Sequence, residues 1–440
     1  MKKLNIIFCS FPDYSGNSKV LYEYMKNRYS NVHNLYWAVE SIDVANELTK
    51  KGVATVVIGT EEFHECIKNI DLFFTTHANL TGDKFKTKKG IYVELWHGIG
   101  PKPVGFLANN MLDDDKKWYS EISEIIDYFV VSSEFWRLVF ASQFNLNVDR
   151  IKVLGLPILD EIIQADGKSN LTNLLNIDLK KYKKIIMYLP TFRKGCGRKL
   201  SVNYNSDTIF NIKGYDDEEL VEFLKENNYL LIVKRHPSEE LSYKTINNDY
   251  IKTIDNNLLT QHLLNVNSIL NAADILITDY SSIGTEYTFL DKPTIYISTD
   301  LKEYKEERGI ILGDYSFWTE DSECESFDKL KELIKSSDTK RVSKNKKLFY
   351  GDLVDGGCSR ICDFFFNTDG SLRKEITRYK NYKETKKGLE DEVKIEKENN
   401  LSLEKRNVEL QKELCNVYSS KGWKLLEKLR KIKRVIKSKR

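Results

Sequence analysis

The chain reads as an α/β protein made of two successive parallel sheets, each covered by helices, with a helical tail behind them. Three observations predict this. Short apolar runs alternate with helical patterns over residues 1–165 and again over 185–365. A polar stretch, 166–184, separates the two sets and reads as the connection between domains. From about residue 371 the composition turns to Lys, Glu and Asn, and Gly and Pro almost vanish. A length of 440 residues is ample for two or three domains with large cores.

In the first set, strands are expected at residues 4–9, 34–39, 54–58, 72–75, 91–95, 128–132 and 151–154, with helices notably at 18–28 and 134–143. In the second, strands are expected at 185–189, 230–233, 250–253, 275–278 and 294–297. Residues 274–297, DILITDYSSIGTEYTFLDKPTIYI, carry the densest signal. A buried strand through Ile275, Leu276 and Ile277 runs into a turn of small hydrogen-bonding groups, Thr278 to Ser282. A helix follows over 283–290, Lys292-Pro293 ends it, and a second strand begins. Open α/β sheets bind ligands at the carboxyl ends of their strands, and hydroxyls with free N–H groups at a helix start suit a phosphate. This segment therefore points to a phosphate-bearing, activated donor.

Composition excludes several classes. Charged residues make up 30% and nearly cancel to a net +3, so nothing global calls for nucleic acid. Seven scattered cysteines read as free thiols of a reducing compartment. Cys358 and Cys362 lie four apart with no second ligand pair nearby, which disfavours zinc. Met1-Lys2-Lys3 leads into too short an apolar run for a secretory signal, and no stretch reaches the roughly 18 apolar residues of a spanning helix. There is neither a phosphate-binding loop of the P-loop type nor a Rossmann glycine triad, which argues against an ordinary kinase or dehydrogenase.

Few side chains are left to carry chemistry. His97, in Glu94-Leu95-Trp96-His97-Gly98, follows an apolar strand directly. Gly98 allows close backbone approach, and Pro101 and Pro103 stiffen the loop, so His97 suits a general base in an inter-domain cleft, with a structural hydrogen bond as the alternative. Arg235-His236-Pro237 follows another strand and places cationic donors where a pyrophosphate could bind, a solvated basic loop being the alternative. Thr191 and Arg193 end the strand before them with a hydroxyl and a guanidinium, a further phosphate-type pair. His33, His64, His77 and His262 have no such setting and read as structural or surface residues. Asp113-Asp114-Asp115 reads as a surface loop rather than a metal site.

Residues 94–98 with the following Pro-Lys, Gly155-Leu156-Pro157, 189–193, Arg235-His236-Pro237 and 274–293 occur in the order found in the CDP-glycerol glycerophosphotransferases, the teichoic acid primases and polymerases of Gram-positive cell walls. YKEERG at 304–309 and the stretch 352–360 resemble further segments of that family. The resemblance covers roughly residues 5–365. It implies a GT-B-like fold, with an acceptor-side domain (1–165) and a CDP-donor domain (185–365) facing across a cleft. It also implies transfer of glycerol phosphate, or ribitol phosphate, from CDP-glycerol or CDP-ribitol to a hydroxyl of a lipid-linked saccharide or growing polymer. CMP leaves, and neither cofactor nor metal is required. His97 matches the histidine of the family's WHG motif, and His236 the one that contacts the donor diphosphate. Thr191, Arg193, Arg235, Thr278, Asp279, Ser281, Ser282 and Glu286 fall on donor-pocket segments. Phe192 stands where Trp is common, Ile99-Gly100 replaces Thr-Pro, Ile158 replaces an Arg, and Glu286 replaces an Asp. The rival readings are a GT-B nucleotide-sugar glycosyltransferase and an inactive coiled-coil scaffold of a cell-envelope complex.

The tail is an addition to such a core. One heptad frame over 371–420 places Tyr379, Val393 and Leu414 at a, and Leu389, Leu403, Leu410 and Val417 at d. Asn400 and Asn407 also fall at a, while Lys386 and Glu396 break the frame. A short coiled coil, which could join copies of the chain, is expected here, with a solvated helix as the alternative. Residues 421–440 hold ten Lys/Arg against Glu427 alone, with Leu425, Leu429, Ile432 and Ile436 in one stripe. That is a basic amphipathic helix suited to an anionic membrane surface, which puts the enzyme peripherally on the cytoplasmic face; a tail that binds protein or nucleic acid is the alternative.

Overall fold

The computed structural model describes residues 3–77, 89–109, 111–191, 208–234, 247–337, 340–353 and 355–419. Two all-parallel sheets dominate it. The first takes the order β3-β2-β1-β4-β5-β6-β7, from β1 (Asn5–Phe8), β2 (Asn34–Val39), β3 (Thr55–Val57), β4 (Leu72–Thr75), β5 (Ile91–Glu94), β6 (Tyr128–Val131) and β7 (Ile151–Val153). The second takes the order β10-β9-β8-β11-β12-β13, from β8 (Lys184–Tyr188), β9 (Tyr229–Lys234), β10 (Ile251–Ile254), β11 (Ile275–Thr278), β12 (Thr294–Ile297) and β13 (Glu323–Cys324). Each strand expected from the sequence is present, and β13 is an addition. Its two residues offer no apolar run to read.

Parallel strands covered on both faces are largely apolar, and β4, β5, β8, β9, β11 and β12 are buried at every position, with polar residues such as Glu94, Lys184 and Thr278 at their ends. Both sheets reverse their winding once, between β1 and β4 in the first and between β8 and β11 in the second. Such switch points open a crevice at the carboxyl ends of the two strands. The loops there begin at Cys9 and Thr76 in one sheet and at Leu189 and Asp279 in the other.

The described residues up to 377 form one compact unit, and those from 378 onward belong to a second. Within the first, polar hubs as well as core packing tie the segment around Pro157 to its surroundings. The part-buried Lys19–Glu161 pair, at 3.2 Å, links the helices Gly16–Tyr29 and Pro157–Gln164. Glu161 also accepts from Asn265 Nδ2 and Ser268 Oγ, both at 2.9 Å, beside the second sheet. The helix Gly357–Phe365 returns to the first sheet, where Phe365 packs edge-on against Phe74 and Tyr128. Asp160 accepts the N–H groups of Gly357 and Cys358 at that helix's start, at 2.9 and 2.8 Å. Cys358 and Cys362 are buried on this helix.

One local expectation changes. Asp113–Asp115 is not a loop but the first turn of a helix, Asp113–Ile125. Three carboxylates there face the positive end of the helix dipole, and Asp115 accepts the N–H of Leu112 at 3.3 Å. Within the polar stretch 166–184, Asp166 caps a helix, Gly167–Leu175, by accepting from Ser169 N–H at 3.1 Å.

Candidate active site

His97 owes its position to a strained turn at the end of β5. Trp96 adopts φ +54°, a left-handed conformation that non-glycine residues rarely take. The turn is over-determined by hydrogen bonds and packing. Trp96 N–H donates to Glu94 Oε1 at 2.8 Å, and the Trp96 ring is buried against Phe129, Phe140 and Phe144. The fully buried Asn17 donates to the carbonyls of Leu95 and Trp96, at 3.1 and 2.9 Å. Its Oδ1 accepts the Ile158 N–H at 3.0 Å. One amide thus joins the His97 turn to the Gly155-Leu156-Pro157 segment, two of the stretches on which the family resemblance rests.

The His97 side chain is exposed while Leu95, Trp96, Gly98 and Ile99 around it are buried. Its Nδ1 lies 3.3 Å from the Thr76 carbonyl oxygen. A carbonyl only accepts, so Nδ1 donates there, and in the neutral ring the lone pair is on Nε2. That is the tautomer a general base needs at Nε2.

The second sheet meets this turn directly. A Cβ on Gly98 would lie 2.7 Å from Ser282 Cβ and 2.8 Å from Glu286 Oε1, and one on Gly100 2.9 Å from Ser282 Cα. Only glycine lets the two backbones approach this closely. The His97 turn therefore seats on the start of the helix Ser282–Tyr287, with Ser281 at its N-cap position. The helix begins one residue earlier than the sequence suggests and gives way to a 3-10 turn at Thr288–Leu290.

The donor-segment residues divide by environment. Ser281 and Ser282 are partly exposed, and Ser282 lies beside Gly98 and Gly100. Asp279 is buried and accepts the Thr191 N–H at 2.8 Å, fixing the loop after β8. Thr191 Oγ1 is buried without a hydrogen-bond partner among the described residues. Thr278 is fully buried and gives its hydroxyl to the Leu189 carbonyl at 2.6 Å, so it braces the strand end. Glu286 is buried, and burial pushes its carboxyl up to about 8, against the downward pull of Ser282 and Asn267 hydrogen bonds. At neutral pH it is mostly an uncharged acid. Arg193, Arg235 and His236 lie outside the described residues, as does Phe192.

Sequence reasoning passed over two residues. Asn17 gives no signal beyond its place at the start of the first helix. His77 reads as structural, yet its ring stacks on His97 with centroids 4.1 Å apart and planes 10° apart. Its position just past β4, at the switch point, could have singled it out. On the same side of the first sheet a cleft of about 790 Å³ opens at the ends of β1, β2 and β3. Ser10, Phe11, Asp13, Glu40 and Glu47 line it, with Asn256 and Gln261 from the second half of the chain. Burial, helped by Glu40, raises the Asp13 carboxyl to about 6.

The sequence profile of a family described as CDP-glycerol:poly(glycerophosphate) glycerophosphotransferase matches residues 1–358. The teichoic acid glycerol-phosphate primase of Bacillus subtilis strain 168 is 30% identical over 311 residues, covering 68% of this chain and 75% of that protein. The teichoic acid glycerol-phosphate transferase of Staphylococcus aureus strain NCTC 8325 / PS 47 is 26% identical over 385 residues, covering 82% and 92%. In three dimensions the wall teichoic acid polymerase TagF superposes with a TM-score of 0.64 at 20% identity, over 86% of this chain and 88% of that one. At that identity the likeness speaks for the fold, which is GT-B-like. The chain is an enzyme of the CDP-glycerol glycerophosphotransferase family.

Proposed function

We propose that the enzyme transfers glycerol phosphate from CDP-glycerol to a hydroxyl of a lipid-linked saccharide or growing teichoic acid polymer, with His97 as the general base. The seating of the His97 turn on Ser282, through Gly98 and Gly100, carries this reading. It brings a base from one sheet against small hydroxyl groups at a strand end of the other. The acceptor oxygen loses its proton to His97 Nε2 and attacks the β-phosphorus of the donor. The bond from that phosphorus to the bridging oxygen breaks, and CMP departs with the electron pair. A base so placed contributes about 10²–10⁴-fold.

Thr191, Ser281 and Ser282 are assigned to the donor diphosphate, with Asp279 holding the Thr191 loop. Glu286, as a neutral acid, sits behind Ser282 without adding repulsion to an anionic donor. Arg193, Arg235 and His236 complete the donor side by their place in the sequence. The cleft beside Phe11 suits a hydroxyl-rich acceptor, because carboxylates accept from hydroxyls and the ring offers an apolar face to a sugar.

Donor choice tests the proposal. The purified enzyme is incubated with a lipid-linked saccharide and CDP-glycerol, CDP-ribitol or a UDP-sugar, and the released nucleotide is measured. CMP from CDP-glycerol is expected first, then from CDP-ribitol. UDP released from the sugar, with no CMP, would favour a glycosyltransferase instead. Among the described residues no helix is long and apolar enough to cross a membrane. Reaching a lipid-linked acceptor in teichoic acid or related capsule assembly is therefore assigned to 421–440, a basic segment outside the described residues. Self-association is assigned to the heptad stretch.

A further inference from the structure

We infer that His77 is a positioning residue for His97, a stacked ring that holds the basic imidazole in one plane. The inference rests on the reading of His97 as the base. β4 and β5 are parallel neighbours with Thr75 opposite Glu94, so the loops leaving them start side by side. Thr76 then serves both rings. Its carbonyl faces His97 Nδ1 at 3.3 Å, and its hydroxyl lies 2.8 Å from His77 Nδ1. Thr76 itself is buried, so this clamp is anchored in the sheet rather than in solvent.

The rings follow from that anchoring. His77 and His97 are parallel to within 10° at 4.1 Å, and Trp96 closes on His97 at 4.2 Å. Phe11, from the loop after β1, meets His77 edge-on at 5.8 Å. Phe11 also lines the cleft described above, so the stack links the acceptor-side cavity to the basic nitrogen. An exposed imidazole would otherwise sample several rotamers, and a base works only while it is within hydrogen-bond reach of the proton it takes. One flat neighbour on its face removes part of that freedom. The neighbour needs a ring and not a charge.

The test compares His77→Ala, His77→Phe and His97→Asn with the wild type, using CDP-glycerol and a lipid-linked saccharide, with kcat and KM measured separately and folding checked by circular dichroism. His77→Ala is expected to lower kcat about tenfold, the equivalent of one aromatic contact, while the KM for CDP-glycerol stays within about twofold. His77→Phe, which keeps a flat ring, should recover most of the lost kcat. Wild-type kcat in His77→Ala would overturn the inference, and so would a His77→Phe enzyme no better than His77→Ala. Should the Ala variant fail to fold, the Phe variant still decides: near wild-type kcat supports a stacking role, and a large loss in a folded protein contradicts it. The two readings separate cleanly. Full activity in His97→Asn removes the base itself, whereas loss in His97→Asn beside full activity in His77→Ala removes only the positioning role.

Discussion

Trp96 carries a conformational penalty of roughly 1–3 kcal/mol at φ +54°, and its neighbours show why the turn persists. Glu94, Asn17 and three phenylalanines fix it, leaving His97 as the exposed residue of the turn. Glu286 offers a second residue-scale test. Its folded-state pKa of about 8 lies above the ordinary 4.5, so proton binding favours the folded state. That contribution is complete below about 4.5, declines as pH rises and is lost above about 8. Glu286→Gln should remove it: between pH 5 and pH 8 the urea midpoint of the wild type should fall relative to that of the variant. Parallel midpoints across that window would show that the carboxyl ionises in the folded protein as freely as in the unfolded chain.

At the scale of elements, the strands were legible because parallel strands buried on both faces are largely runs of Ile, Leu, Val and Phe. The β11 segment is the clearest case, with Ile275, Leu276 and Ile277 flanked by polar turn residues. β13 was not legible, since Glu323-Cys324 carries no pattern and owes its place to pairing with β12. Asp113–Asp115 misled because three acids in a row suggest solvent, while a helix start accepts them equally well. The candidate site was half legible. His97 and the serines of 281–282 follow strand ends that the sequence shows, but His77 and Asn17 meet the His97 turn through tertiary contacts that no local pattern encodes. Asn17→Ala tests the element-level claim. It leaves the buried Leu95 and Trp96 carbonyls and the Ile158 N–H unpaired, at about 1–3 kcal/mol for each such group. A loss of at least about 2 kcal/mol in urea unfolding, with a matching loss of activity, is expected. A stability change within about 0.5 kcal/mol would mean that the His97 turn is held by other contacts.

For the whole molecule, the family match ends near residue 358, and the unit 378–440 lies beyond it. The long helix Lys374–Ser419 exposes Leu389, Val393, Leu403 and Leu410, which the heptad frame puts at a and d. Deleting 378–440 should therefore lower the oligomer mass in solution and reduce binding to anionic vesicles, while CMP release with a soluble acceptor survives. Unchanged mass and vesicle binding would contradict the roles assigned to the tail. The central claim concerns the catalytic core, where a histidine on one sheet activates the acceptor against a CDP-linked donor on the other. It is tested most directly by the rate of CMP release from CDP-glycerol, with a lipid-linked saccharide present, in wild type and His97→Asn. The account predicts a drop of about 10²–10⁴-fold in a folded variant; a variant that releases CMP at the wild-type rate would contradict it.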